Sequence, residues 1–298
     1  VIAVAGSTGY IGGLLCHRLC EEGQEVRALA RRPERAGDLR EAGCEVVQAD
    51  VLEPETLGPA LEGADVAYYL VHSMGRGSDG DFAARDHQAA GNFAAAAAAA
   101  GVKRIVYLGG LGEGSKHLDS RHATAETLRK GEVPVTYLRA AAVIGAGSES
   151  FRTVFYLVRR LPVMVTPRWV TTRTQPIAVG DAVGCLAAAA DLSLPADREI
   201  QLGGPDVTTY GGMIDELARA LGRRRPMRLV VPVLTPRLSS LWIGLVTPVD
   251  AGVAKPLIEG LSTETVVSDP SGMELLGGRP RTPLREALRQ AAADLENA

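Results

Sequence analysis

The chain has 298 residues, 46% hydrophobic and 22% charged, which is enough to bury a substantial core without disulfide staples and too apolar for a disordered segment. Thirty-two basic residues against thirty-five acidic ones leave a formal charge of -3, so the concentrated basic field that a nucleic-acid partner needs is missing. Cys16, Cys20, Cys44 and Cys185 form neither a CxxC pair nor a disulfide framework. That fits a reducing cytoplasm, with Cys16 and Cys20, four apart on one helix, read as buried small hydrophobes.

Val1 to Ala5 reads as a first strand and not as the core of a signal peptide, because a glycine loop and an amphipathic helix follow it directly. In that helix Ile11, Leu15 and Leu19 fall on one face. Short apolar runs predict strands near 1–5, 25–30, 45–49, 65–71, 104–108 and 134–138, and Gly23, Gly43, Gly63, Gly101 and Gly131 stand where the preceding helices end. Pro54 to Leu61 predicts a helix with proline in its first turn, and Asp81 to Ala100 the longest helix, whose alanine run from Ala94 to Ala100 lets its backbone approach the sheet. Beyond Ser150 the pattern turns to shorter helical pieces with more proline. Pro205 to Gly222 reads as loop then helix, and Thr282 to Leu295 as a last amphipathic helix carrying Leu284, Leu288 and Leu295. The apolar stretch Leu238 to Val249, interrupted by Pro248, is too short to span a bilayer, so no membrane insertion is expected.

Strands alternating with helices predict an α/β fold, a doubly wound parallel sheet, with a smaller C-terminal lobe. The expected division is a dinucleotide-binding domain over 1–150 and a substrate lobe over 151–298, with segments near 176–204 returning to the first domain.

The sharpest motif is Gly6-Ser7-Thr8-Gly9-Tyr10-Ile11-Gly12, set between the first strand and the first helix. Glycines there allow a tight turn and a close backbone approach to a pyrophosphate, whose charge is stabilised by free N–H groups at the positive end of the helix. Gly6, Thr8, Gly9, Tyr10, Ile11 and Gly12 are therefore candidate cofactor contacts. About 20 residues further on, where NAD-binding chains carry an acidic residue, this one reads Ala30-Arg31-Arg32. Guanidinium groups suit a 2′-phosphate, so Arg31 and Arg32 favour NADP (NADPH) over NAD. The competing reading makes them a solvated turn before Pro33.

With these residues the chain resembles an extended, atypical member of the short-chain dehydrogenase/reductase superfamily, with a Rossmann-type sheet. Gly6-Ser7-Thr8-Gly9-Tyr10-Ile11-Gly12-Gly13, Asp50-Val51, Leu70-Val71-His72-Ser73, Val102 to Leu108, Leu202-Gly203-Gly204-Pro205 and Arg281-Thr282-Pro283-Leu284 carry the likeness. It is similar in particular to bacterial NAD(P)H-binding proteins related to the nucleotide-binding accessory subunit of respiratory complex I. The resemblance implies that Asp50 and Val51 contact the adenine, and that Leu70, Val71, His72 and Ser73 run beside the ribose and nicotinamide.

Members of this superfamily typically use a Tyr-x-x-x-Lys pair, assisted by a serine after the fifth strand, to exchange a proton with the substrate oxygen. Here the fifth strand ends in Leu108-Gly109-Gly110-Leu111-Gly112, and aligning Glu126 with the family's acidic residue puts Leu118 at the tyrosine position and His122 at the lysine position. A leucine donates no proton. Ser115, Lys116, His117, His122, His72 and Ser73 are the nearby candidates. His122 is the expected general acid, because an imidazole titrates near neutrality, with Ser115 beside it; the alternative makes His122 an ordinary polar helix residue. His117 and His122 lie five apart and no HExxH string occurs, so no metal is expected; the absence of GxSxG disfavours a serine hydrolase. Arg139, at the end of the sixth strand, meets either an acidic substrate or a buried ion partner. The stretch Pro167-Arg168-Trp169, with Arg173-Thr174-Gln175-Pro176, is either a substrate anchor or a linker. The expected function is NADP(H)-dependent oxidoreduction of a small organic substrate; the alternative is a non-catalytic NAD(P)H-binding sensor or assembly factor.

Overall fold

The computed structural model describes residues 1–72, 82–166, 168–230, 263–277 and 282–297. Ser73, Asp81, Pro167, Arg281 and the stretch Leu238 to Val249 lie outside them. The strands are β1 (Ile2–Ala5), β2 (Val26–Ala30), β3 (Glu45–Gln48), β4 (Val66–Tyr69), β5 (Arg104–Gly110), β6 (Val135–Ala140), β7 (Val143–Ile144), β8 (Val163–Thr166), β9 (Arg173–Thr174), β10 (Ile177–Ala178), β11 (Glu199–Leu202), β12 (Thr208–Thr209) and β13 (Met227–Val230). The helices are α1 (Tyr10–Glu21), α2 (Gly37–Glu41), α3 (Pro54–Leu61), α4 (Phe82–Ala99), α5 (Lys116–Arg129), α6 (Glu149–Arg160), α7 (Val179–Ala188), α8 (Tyr210–Ala220), α9 (Ser271–Leu275) and α10 (Leu284–Asn297).

Seven strands pair in parallel in the order β3-β2-β1-β4-β5-β6-β11. Alternate residues along each strand go to opposite faces, which is why these short apolar runs serve two cores at once. Val4, Tyr68, Val106 and Leu138 join Leu15, Leu19 and Leu186 of α1 and α7 on one face. Ala3, Tyr69, Tyr107 and Tyr137 join Leu57, Phe93 and Leu128 of α3, α4 and α5 on the other. The rings of Tyr69, Tyr107 and Tyr137 follow one another at centroid distances of 6.1 and 5.2 Å. In α4 the buried set is Ala89, Ala90, Phe93, Ala94 and Ala97, so the alanine run supplies the small side chains of a close contact.

Gly23, Gly43, Gly63 and Gly101 adopt the left-handed φ expected of helix-ending glycines, whereas Gly131 does not. A Cβ on Gly131 would come 3.1 Å from that of Ala94, so Gly131 answers to close packing against α4. At the far edge β11 pairs with β6, and α7 packs beside α1, so the segment after residue 178 returns to the sheet layers. Arg104, buried at 2% exposure, ties that return down by donating to the carbonyls of Ala189, Asp191 and Leu194 at 2.6–3.2 Å. A third core gathers Phe151 and Phe155 of α6, Met213, Ile214 and Leu217 of α8, and Leu284 and Leu288 of α10. Among the described residues no helix is long and apolar enough to cross a membrane.

Candidate functional site

The glycine loop lies at the carboxyl end of β1, the end where open parallel sheets receive ligands. Gly6 has φ +86, and a Cβ there would meet the Leu70 carbonyl carbon at 2.7 Å. A Cβ on Gly12 would lie 2.2 Å from the Gly6 oxygen. Only glycine fits either position. Ser7 is buried and its hydroxyl donates to Leu29 O at 2.8 Å, which fastens the loop to the end of β2. Gly9 caps α1 without a side-chain hydrogen bond, and no acidic residue stands in the first turn, so the free N–H groups of that turn keep an undiminished positive potential. Thr8 is exposed at the tip. Tyr10 turns toward the Gly145-Ala146-Gly147 loop, where a Cβ on Gly147 would strike its ring at 2.3 Å.

This loop forms one wall of a cavity of about 440 Å³. Gly6, Gly9, Tyr10, Ile11 and Gly12 line it, as do Leu70 and His72 beyond β4. The opposite wall belongs to the third core, with Phe151, Val154 and Leu157 of α6 and Met213 and Ile214 of α8. Between them α5 presents His117, Leu118 and Arg121.

Leu118 fills the tyrosine position so closely that a Cβ on Gly110 would lie 2.5 Å from its Cδ2, while a Cβ on Gly109 would lie 2.6 Å from the Tyr137 hydroxyl. A side chain at position 110 would therefore displace the end of the Leu118 side chain. The polarity of this wall comes instead from Arg121, one turn on. Its Nη1 donates to Leu108 O at 3.1 Å, and its Nε is buried with no hydrogen-bond partner among the described residues. Arg121 is the largest influence holding the His72 imidazole well below its usual range, with desolvation and His117 acting in the same direction. Burial, then Arg121, pulls His117 down to about 4. The His117 imidazole is therefore neutral at pH 7.

His122 is not among the cavity-lining residues. Its Nε2 lies 2.9 Å from Gly112 O and 3.1 Å from Arg139 Nη2, and its Nδ1 lies 3.0 Å from the Tyr137 hydroxyl, so the ring is held by groups inside the protein. Ser115 is buried and caps α5 by accepting from Leu118 N at 3.2 Å. Arg139 is 8% exposed and pairs with Glu199 Oε1 at 2.6 Å across β6 and β11, while its Nη2 donates to Gly112 O; of its two readings, the ion pair is the one formed. Gln175 bonds Gly204 O and Val267 N, and Thr174 accepts from Thr265, so this stretch is a seam between segments. Arg31 and Arg32 are both exposed just past β2. Asp50 accepts from Leu52 N through Oδ1, and Val51 is buried with its carbonyl held by Asn92. Val71 packs against the α3–α4 core.

A glycine bend at the carboxyl end of a doubly wound parallel sheet, opening into an apolar cavity, is the dinucleotide-binding arrangement of a Rossmann-type α/β fold. Residues 6–151 match the family model described as NAD(P)H-binding. The ceramide reductase of Caulobacter vibrioides (strain NA1000 / CB15N) is 28% identical over 192 residues, which are 63% of this chain and 60% of that protein. The photosystem II assembly factor Ycf39 of Synechocystis sp. is 31% identical over 107 residues, 36% of this chain and 32% of its own length. The chain thus spans less than two thirds of either relative. The triphenylmethane reductase of Citrobacter sp., in its complex with NADP(H), shares the fold with a TM-score of 0.74 at 23% identity, over 98% of this chain and 100% of that one.

Proposed function

We propose that the protein is an NADPH-dependent reductase of an apolar small molecule bearing a carbonyl-type group. The observation that carries this reading is that the glycine loop and the aliphatic and aromatic face of α6 and α8 line the same cavity. The cradle at Gly6 and Gly12, which a Cβ would fill, fits a pyrophosphate. Arg31 and Arg32 supply cations for a 2′-phosphate where a carboxylate would repel it. Asp50 and Val51 then face the adenine, and Leu70, Val71 and His72 the ribose and nicotinamide; Ser73 belongs with them by sequence. When bound, the dinucleotide supplies a hydride.

The chain's own residues do the rest. The apolar walls exclude water and seat the substrate. The Arg121 guanidinium stabilises negative charge growing on the substrate oxygen, and neutral His117 donates a hydrogen bond to it, as preorganised donors in a dry site do. Ser115 and His122 hold α5 in position, and solvent at the cavity mouth returns the proton. A reducing cytoplasm is the compartment that suits the four free thiols.

Calorimetric titration tests the coenzyme half of the proposal. NADPH is expected to bind at least tenfold more tightly than NADH, and the double variant Arg31→Ala/Arg32→Ala to erase the difference by weakening NADPH alone. Equal or reversed affinities in the unaltered protein overturn it. A screen of ketones, aldehydes and quinones tests the chemistry. Leu118 at the tyrosine position favours one competing reading, a nucleotide-dependent sensor or assembly factor, to which the likeness to Ycf39 also belongs. Tight NADPH binding without turnover across the screen is the result that reading requires.

A further inference from the structure

Around the last turns of α1 three thiols converge, none of them lining the cavity. Cys16 and Cys20 stand one turn apart on α1, and Cys44 follows Gly43, whose φ of +97 ends α2 and brings the chain back toward α1. Cys20 Sγ lies 3.3 Å from Cys44 Sγ, across 24 residues of sequence. A disulfide bond is about 2.05 Å long, so a small side-chain adjustment separates the two sulfurs from bonding distance. Cys16 and Cys44 are buried, whereas Cys20 is half-buried and gives solvent access to the pair. Hydrogen bonding from Cys16, then from Cys20, together with the nearby His17, outweighs burial and pulls the Cys44 thiol down to about 6. Burial and Cys44 push Cys20 up to about 12. The two sulfurs thus differ in character as an attacking thiolate and a resolving thiol do.

We propose that Cys20 and Cys44 are an oxidisable dithiol, a modification site at which a hydroperoxide reversibly cross-links the last turn of α1 to the start of β3. The Cys44 thiolate attacks the distal oxygen of the hydroperoxide; the O–O bond breaks, the alcohol (or water, from hydrogen peroxide) leaves, and Cys44 becomes a sulfenic acid. The Cys20 sulfur then displaces water from that sulfur and forms the S–S bond. Two thiols and one hydroperoxide give one disulfide, one alcohol and one water; the thiol pair loses two electrons and the peroxide gains them. An external dithiol reverses the change by exchange. Such transient disulfides are compatible with a reducing cytoplasm.

The experiment uses the full chain, fully reduced and then exposed to hydrogen peroxide. Thiol titration under denaturing conditions is expected to fall from four to two. Non-reducing peptide mapping should join the peptide holding Cys20 to the one holding Cys44, with loss of two hydrogens in mass and full return under dithiothreitol. In Cys20→Ser the cross-link should vanish and a sulfenic-acid probe should label Cys44, while Cys185→Ser should behave as the unaltered chain. Four surviving thiols at a peroxide excess that oxidises free cysteine, or a disulfide mapped to any other pair, overturns the proposal. Because the mapping is done on the unaltered protein, a variant that folds poorly does not decide the result.

Discussion

Arg121 brings a guanidinium to the cavity wall that α5 presents. Its buried Nε, unpartnered among the described residues, costs free energy unless a ligand meets it, since a desolvated donor left without an acceptor forfeits about 1–3 kcal/mol. Arg121→Met should therefore lower kcat/KM for a carbonyl substrate by about 100-fold, the loss of roughly one preorganised donor, while NADPH affinity stays within about twofold; steady-state kinetics beside calorimetry separate the two. An equal loss in nucleotide binding would refute the role given to this guanidinium. At Gly12 the outcome runs the other way. Gly12→Ala drives a methyl into the Gly6 carbonyl, so nucleotide binding should be lost by calorimetry, with a drop in stability of about 2 kcal/mol from overpacking. A helical-face argument could have found Arg121, which stands three residues after Leu118 and four after His117; attention to the imidazoles drew the expectation to His122, whose ring nitrogens meet Gly112 and Tyr137 inside the protein.

Between β5 and α5, Gly110 and the end of the Leu118 side chain share one space. Gly110→Ser should destabilise the fold by about 1–3 kcal/mol through overpacking against Leu118. Combined with Leu118→Ala, the serine should cost less than the sum of the single changes, a coupling readable by urea unfolding of the double-mutant cycle. Additive costs would mean that the two positions do not share one space. Most of the layered architecture was legible beforehand, because β1 to β6 are apolar runs and most are preceded by a helix-ending glycine, and because the glycine spacing between β1 and α1 admits few other meanings. The Gly110–Leu118 packing, the Arg139–Glu199 pair 60 residues apart and the Cys20–Cys44 approach were not legible. Each is a meeting of side chains that only the folded sheet brings about, and neither local periodicity nor spacing encodes it.

For the molecule as a whole, the neutral imidazole of His117 contributes to the response to acid. An unfolded histidine binds its proton near pH 6.5, whereas folded His117 does so only near pH 4. Between those values the unfolded state holds more protons, so stability is full above about pH 6.5 and is lost as pH falls toward 4. Urea unfolding at pH 7.5 and pH 5 should show a deficit at the lower pH, of which about 1 kcal/mol disappears in His117→Asn after allowance for solvent screening of this partly exposed ring. An unchanged pH slope in that variant removes His117 as its source. The close approach of Gly6 to Leu70, whose amide also bonds Ala5 O, has one more consequence. Because the bend that grips the coenzyme is braced by a strand more than sixty residues downstream, a nascent polypeptide emerging from the ribosome acquires no such grip until β4 has been synthesised and docked, and a fragment ending at β2 should leave the coenzyme free in solution.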